Sequence, residues 1–323
     1  MQAENRSDKS KAPQRASEAE PASERTLVIA RVLDAPARLL FEAHAKPEHL
    51  RKWFGPPGYP LTLCEMDFRV GGKYRFAMTG PDGQQMTPFG GTYLEIVRNE
   101  RIQWDDAWED ADAERMVVTV TFDEQKDVTT KMTITTVFAS ITMMKKHLEM
   151  GYEQGVSAGF AQLASVVNDL AERSFAITRV IDAPARLLFE TYSKPEHLKQ
   201  WYGPPGYPLT RCDVDFRVGG AYRFQMTGPD GNAGPMFGGK YLEITPFERI
   251  VYDDAFEQPG AEHLVFVVDF IPDASGTRTT LTQTVLFDNV ADKKKYIDMG
   301  MLEGCTAALD QLHDLATSLA RTA

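Results

Sequence analysis

At 323 residues, with 43% hydrophobic and 25% charged side chains, the chain has an ordinary globular composition and enough material for about two domains. Its formal net charge of -11 repels nucleic-acid phosphates and anionic lipid surfaces, which argues against both as partners. No window approaches the ~18 consecutive apolar residues of a transmembrane helix, nor does the start of the chain hold the apolar stretch of about 7–15 residues that a secretory signal needs.

Met1 to Arg25 mix polar and charged residues with Pro and read as a disordered tail. Thr26 to Leu33 is β-branched and apolar, the pattern of a first strand. Asp34-Ala35-Pro36 opens a helix whose apolar side is Leu39, Leu40 and Phe41. Lys46-Pro47-Glu48 restarts a second short helix, ending at Trp53-Phe54. Gly55-Pro56-Pro57-Gly58-Tyr59-Pro60 can only be a loop. The period then becomes two: Cys64, Met66 and Phe68 alternate with polar residues, as do Tyr74, Phe76 and Met78 after the Gly71-Gly72 turn. Pro81-Asp82-Gly83 is a tight turn, and further strands are expected near 89–97, 101–109, 115–122 and 129–138. Val156, Phe160, Leu163, Val167 and Leu170 then recur at helical spacing.

The whole series repeats. Residues 29–83 align with 177–231 at a constant shift of 148, with 42 of 55 positions identical; one insertion near 273–278 brings the last helix to a shift of 149. A period this long is a domain rather than a solenoid unit. The organisation is therefore a tail over 1–25, a first domain over 26–172 and a second over 174–323. The junction is too short for a flexible linker and predicts a restricted mutual orientation, with the pair as a pseudo-dimer in a monomeric chain. Each copy is α+β: a strand, two short helices, a six-strand antiparallel meander and one long helix to cover its apolar face.

This order, with Asp34-Ala35-Pro36, Phe41, Trp53-Phe54-Gly55-Pro56, Asp67-Phe68-Arg69-Val70-Gly71-Gly72, Met78-Thr79-Gly80-Pro81-Asp82-Gly83, Gly91-Thr92-Tyr93-Leu94-Glu95-Ile96 and Glu100-Arg101-Ile102, resembles the Aha1-like group, the activator of Hsp90 ATPase homologues, within the START-related (SRPBCC) superfamily. Asp182, Phe189, Trp201, Gly203, Phe216, Arg217, Gly219, Met226, Gly228, Asp230, Gly231 and Tyr241 are the equivalents in the second copy. The resemblance implies two tandem helix-grip domains, each a curved antiparallel sheet wrapped on a long C-terminal helix. It also implies an apolar cleft between sheet and helix.

Strand parity turns Tyr74, Phe76 and Met78 inward, and gives Ile102, Trp104, Asp106 and Trp108 one common side; Tyr222, Phe224, Met226, Ile250, Tyr252, Asp254 and Phe256 correspond. The candidate ligand-binding residues are Trp53, Phe76, Met78, Trp104, Asp106 and Trp108, with Trp201, Phe224, Met226, Tyr252, Asp254 and Phe256. The same aromatics would serve equally as plain core. With parity kept, Asp106 and Asp254 put a carboxyl among aromatic rings; the expected alternative is a bulge that turns Asp105-Asp106 outward together, both solvated. His49 and His197, in Pro-Glu-His-Leu, read as surface or helix-end residues, and His44 is matched by Tyr192 at the equivalent position of the other copy. Arg69, Arg75, Arg217 and Arg223 are expected on the outer sheet face beside acids such as Glu65 or Asp67. Met143-Met144 reads as packing at the start of the long helix.

Cys64, Cys212 and Cys305 have no metal-site or CxxC spacing and read as buried free thiols of a reducing, cytoplasmic compartment. No catalytic, metal-binding or cofactor-binding motif is spelled. The expectation is a cytoplasmic protein that binds an apolar small molecule in each domain. The alternatives are a module acting on an Hsp90-type chaperone or other ATPase, and a cyclase- or hydrolase-like enzyme built on Asp106.

Overall fold

The computed structural model describes residues 20–110, 113–126 and 128–322. As far as residue 19, the expected tail lies outside the described residues. Ala22–Arg25 then makes one turn of 3-10 helix, and the Arg25 guanidinium donates to the Phe138 carbonyl.

In the first copy β1 (Thr26–Leu33) leads into α1 (Ala37–Ala45) and α2 (Pro47–Trp53). Pro36 caps α1 from outside, and the Ala37 amide donates to Glu124 at 2.7 Å. Pro47 opens α2 at a position where its missing N–H costs nothing. The meander follows as β2 (Leu61–Met66), β3 (Lys73–Met78), β4 (Phe89–Val97), β5 (Arg101–Trp108), β6 (Met116–Glu124) and β7 (Thr130–Val137). All neighbours are antiparallel, and β1 joins beside β7 in the order β1-β7-β6-β5-β4-β3-β2. Along β6, Met116, Val118, Val120 and Phe122 are buried while the residues between them are half-buried, the alternation of a sheet covered more completely on one face.

The covering element is not one helix. Ser140 accepts from the Met143 amide at 3.0 Å and caps a separate helix, α3 (Ile141–Glu149); α4 (Tyr152–Glu172) follows after Gly151, whose φ of +85° no β-branched side chain would accept. The Met143-Met144 pair therefore sits inside α3, with Met143 buried against Met116, Val118 and Phe138, rather than at the start of the long helix. Phe160, Leu163, Val167 and Leu170 form the buried stripe of α4. Each fully buried side chain of this kind contributes about 1.5–3 kcal/mol.

The second copy repeats the plan: β8 (Ser174–Ile181), α5 (Ala185–Ser193), α6 (Pro195–Trp201), β9 (Leu209–Val214), β10 (Ala221–Met226), β11 (Phe237–Thr245), β12 (Arg249–Phe256), β13 (Leu264–Pro272), β14 (Thr279–Phe287), α7 (Val290–Asp298) and α8 (Met301–Thr322). Asn289 and Gly300 do for α7 and α8 what Ser140 and Gly151 do above. Its sheet has the same seven-stranded order, and Leu309, Leu312 and Ala316 of α8 share one core with Phe266, Phe270 and Val285. The chain divides into two compact units between Val167 and Asn168.

Arg69 and Arg217, expected on the outer sheet face, lie instead in the turns after β2 and β9, where they pair with Asp67 and Asp215 at 2.8 and 2.9 Å. Arg75 and Arg223 reach instead to Glu109 and Glu257, past the nearer acids that were expected to hold them. These pairs are half-exposed and add little stability. Among the described residues no helix is long and apolar enough to cross a membrane.

Candidate functional site

Each domain holds a cavity between its sheet and its long helix. The first has a volume of about 470 Å³ and the second about 960 Å³, both within the range of small-molecule sites. Two features build one wall. Trp53, the last residue of α2, anchors its indole by donating from Nε1 to the Ala43 carbonyl at 2.9 Å. From α4, Gln162 Nε2 donates to the Trp53 and Gly55 carbonyls at 3.2 and 2.6 Å, which ties the Gly-Pro-Pro-Gly loop to the long helix. Trp201 and Gln311 reproduce both arrangements in the second domain. Gln162→Leu strands both carbonyls, so a loss of about 2 kcal/mol is expected in urea unfolding. A variant as stable as the parent would show that these bonds do not hold the wall.

The opposite wall is the sheet. In the first domain Phe76, Met78, Trp104, Asp106 and Trp108 border the cavity from the sheet, and Trp53 borders it from α2. The expected outward bulge at Asp105-Asp106 is corrected. Asp106 is 8% exposed and faces in, while Asp105 faces out to Arg115 at 3.0 Å. The extra residue lies instead on β4, between Tyr93 and Glu95, so β5 keeps its alternation. Tyr74 donates to Asp106 Oδ1 at 2.8 Å, sharing its proton with the Asp105 carbonyl at 2.9 Å. Burial dominates that bond and raises the Asp106 pKa from 3.8 to about 7.

Two histidines complete the first cavity, and the sequence pattern did not place them there. His44 and His147 each point Nδ1 at the carbonyl four residues back, Leu40 at 2.7 Å and Met143 at 2.9 Å. A carbonyl only accepts, so Nδ1 carries the proton and Nε2 of a neutral ring is left as an acceptor. Burial lowers the His44 pKa to about 4, which keeps that ring neutral at physiological pH. Tyr192 and Tyr296 occupy the corresponding places in the second domain, at the 148 and 149 shifts. His49 lies in the first turn of α2, a helix-end position as expected, but it is 5% exposed rather than at the surface and does not border the cavity.

The second cavity is the larger of the two, and several side chains are smaller there: Trp104 and Trp108 of the first cavity are replaced by Tyr252 and Phe256. Met86 and Met143 border the first cavity; Gly234 and Asp292 stand at those positions in the second copy. Met226, Tyr252, Asp254 and Phe256 border the second cavity from the sheet, and Trp201 from α6. Phe224 does not: it is 2% exposed in the core, with the ring of Tyr202 centred 5.1 Å away. Asp254 is 9% exposed, and burial likewise raises its pKa to about 7. Here Tyr222 donates to the Asp253 carbonyl at 2.8 Å, and Asp254 Oδ1 is buried with no hydrogen-bond partner.

Tyr202, Gln283, Tyr296 and Cys305 also border this cavity and were not singled out from the sequence. The polar Gln162 and Gln311 beside the apolar stripe of each long helix were the available signal for the wall contact. Cys64 is buried and Cys212 and Cys305 half-buried, all as free thiols. Among the described residues no cluster of three or more His, Cys, Asp or Glu side chains is placed to hold a metal ion.

No curated protein matches the chain. Among solved structures it is similar to a protein of Nitrosomonas europaea, with 25% identity over 45% of this chain and 96% of that one and a TM-score of 0.41. A protein of Chromobacterium violaceum is 31% identical over 44% of this chain and 96% of its own, with a TM-score of 0.39. The di-domain ARO/CYC BexL of the BE-7585A biosynthetic pathway is 17% identical over 90% of this chain and 98% of its own, with a TM-score of 0.38. The model of the activator of Hsp90 ATPase homolog 1-like proteins matches twice, over residues 34–168 and 182–317. With both sheets, both long helices and both matches in tandem, the chain belongs to the Aha1-like family of helix-grip proteins as a two-domain member.

Proposed function

We propose that each domain binds an apolar small molecule in the cavity between its sheet and its long helix. The observation that carries this reading is the composition of the two cavities: aromatic and aliphatic walls around one buried carboxyl, Asp106 or Asp254. Such a wall offers dispersion and apolar burial over most of a ligand, with one polar group to fix its orientation. Below neutral pH the carboxyl is protonated and can donate to a ligand oxygen; above it, the charge favours a donor or a cation. The neutral His44 adds an acceptor in the first domain only.

All four tryptophans of the chain border a cavity, Trp53, Trp104 and Trp108 the first and Trp201 the second. A bound apolar molecule therefore touches the fluorophores directly. Titration with a panel of apolar compounds is expected to change tryptophan emission saturably and to raise the melting temperature by mass action. A panel that leaves both unchanged at solubility-limited concentrations would count against ligand binding and in favour of cavities that serve only as loosely filled core.

A further inference from the structure

The two cavities differ in charge as well as size. Among the described residues bordering the second cavity there is no Lys, Arg or His, and there are two carboxyls. Asp230 stands exposed at the Pro229-Asp230-Gly231 turn, its pKa lowered by the Asn232 side chain, so it is ionised at neutral pH. Asp254 lies deeper, nine-tenths buried, with Oδ1 unpartnered. The rings around it add negative potential at their faces: Tyr252 is stacked parallel on Phe266 at 5.0 Å, and Phe256 parallel to Tyr296 at 6.4 Å. The Tyr296 ring already carries a cation, the ammonium of Lys295 at 5.9 Å from its centroid, itself paired to Glu262. In the first cavity, by contrast, Tyr74 occupies Asp106 Oδ1 and two histidines join the wall.

We propose that the second domain takes an apolar amine, its protonated nitrogen paired with the Asp254 carboxylate and its hydrocarbon body laid among Trp201, Tyr252, Phe256 and Tyr296. The assignment rests on the cavities being ligand sites and names the chemistry of one of them. A buried carboxylate oxygen without a donor is costly, and an ammonium group supplies both the opposite charge and the missing donor. The aromatic faces favour the same cation by their quadrupoles. An anionic ligand meets two carboxyls and no basic group. In the first domain Tyr74 already donates to Asp106 Oδ1 and two histidines join the wall, so the two halves of the chain are not equivalent binding sites.

Three probes of one shape separate the possibilities: phenylbutylamine, phenylbutanol and phenylbutyrate, each titrated calorimetrically into the full chain at mildly alkaline pH. The expected result is an amine site that binds at least about tenfold tighter than the alcohol, with the acid weakest. Asp254→Asn, which keeps the side-chain shape, is expected to remove that preference while the alcohol binds within about threefold of its parent affinity. A parent chain that binds alcohol and amine equally overturns the amine assignment and leaves the cavities as ligand sites; this comparison does not depend on the variant folding. An amine preference that survives Asp254→Asn overturns the role of that carboxyl. Heat from none of the three overturns the ligand-site reading and the amine assignment together.

Discussion

Asp254→Asn is expected to stabilise the second domain above neutral pH and to leave it nearly unchanged in mild acid. The sign follows from the proton balance. Burial raises the folded-state pKa of Asp254 from 3.8 to about 7, so between these values the folded chain binds more protons than the unfolded one. Stability then falls as pH rises through that window, and the full penalty is present above about pH 7. The rise sets an upper bound of about 4 kcal/mol at about 1.4 kcal/mol per pH unit. The buried amide of Asn is itself imperfectly satisfied, so the expected gain is about 2 kcal/mol. Urea unfolding of parent and variant across this pH range checks it: the difference between the two should grow from near zero to its full value. A difference that stays flat would show that Asp254 is not held away from water in the folded protein. A carboxyl that costs stability in the empty protein is what a ligand anchor looks like before its ligand arrives.

Gly91→Ala is expected to cost the first domain about 3 kcal/mol or more. A Cβ at Gly91 would lie 2.0 Å from the Asp105 carbonyl oxygen and 2.2 Å from Asp105 Oδ1. Neither atom is free to yield. The carbonyl accepts from Tyr74, and Oδ1 accepts from the Thr92 amide at 2.7 Å. Relief requires β5 to move away from β4, which displaces Trp104 and Asp106 at the cavity wall. Gly239 stands in the same relation to Asp253, with contacts of 2.1 and 2.2 Å, so Gly239→Ala should do the same to the second domain. Chemical denaturation measures the cost, and a loss below about 1 kcal/mol would mean that the sheet absorbs the methyl group without losing its register. The carboxyl that faces inward is thus placed by its outward-facing neighbour: Asp105 closes over a glycine, and Asp106 is turned in.

The strands were legible because a half-buried sheet imposes a period of two, and the boundaries near 89–97 and 101–109 follow from that alternation directly. The internal repeat settled the number of domains for the same reason: two copies of one pattern must make two of one structure. The separate α3 was not legible from hydrophobic period, since Met143, His147 and the α4 stripe share helical spacing; only the Ser140 cap and the positive φ at Gly151 divide them. The inward turn of Asp106 was masked by a different effect. The bulge that decides it lies at Leu94 on the neighbouring strand, and no residue of β5 records it. His49 and Phe224 show what a one-dimensional pattern leaves out. Each is buried or covered by a residue distant in the chain, and burial of that kind is a property of packing rather than of spacing.

Native mass spectrometry on the full chain tests the central claim most directly, first as freshly purified and then after incubation with an apolar small-molecule extract. Occupied cavities predict one or two noncovalent adducts of discrete small mass per chain, lost on denaturation. The bare chain mass in both preparations would contradict the account and leave the two cavities without an occupant.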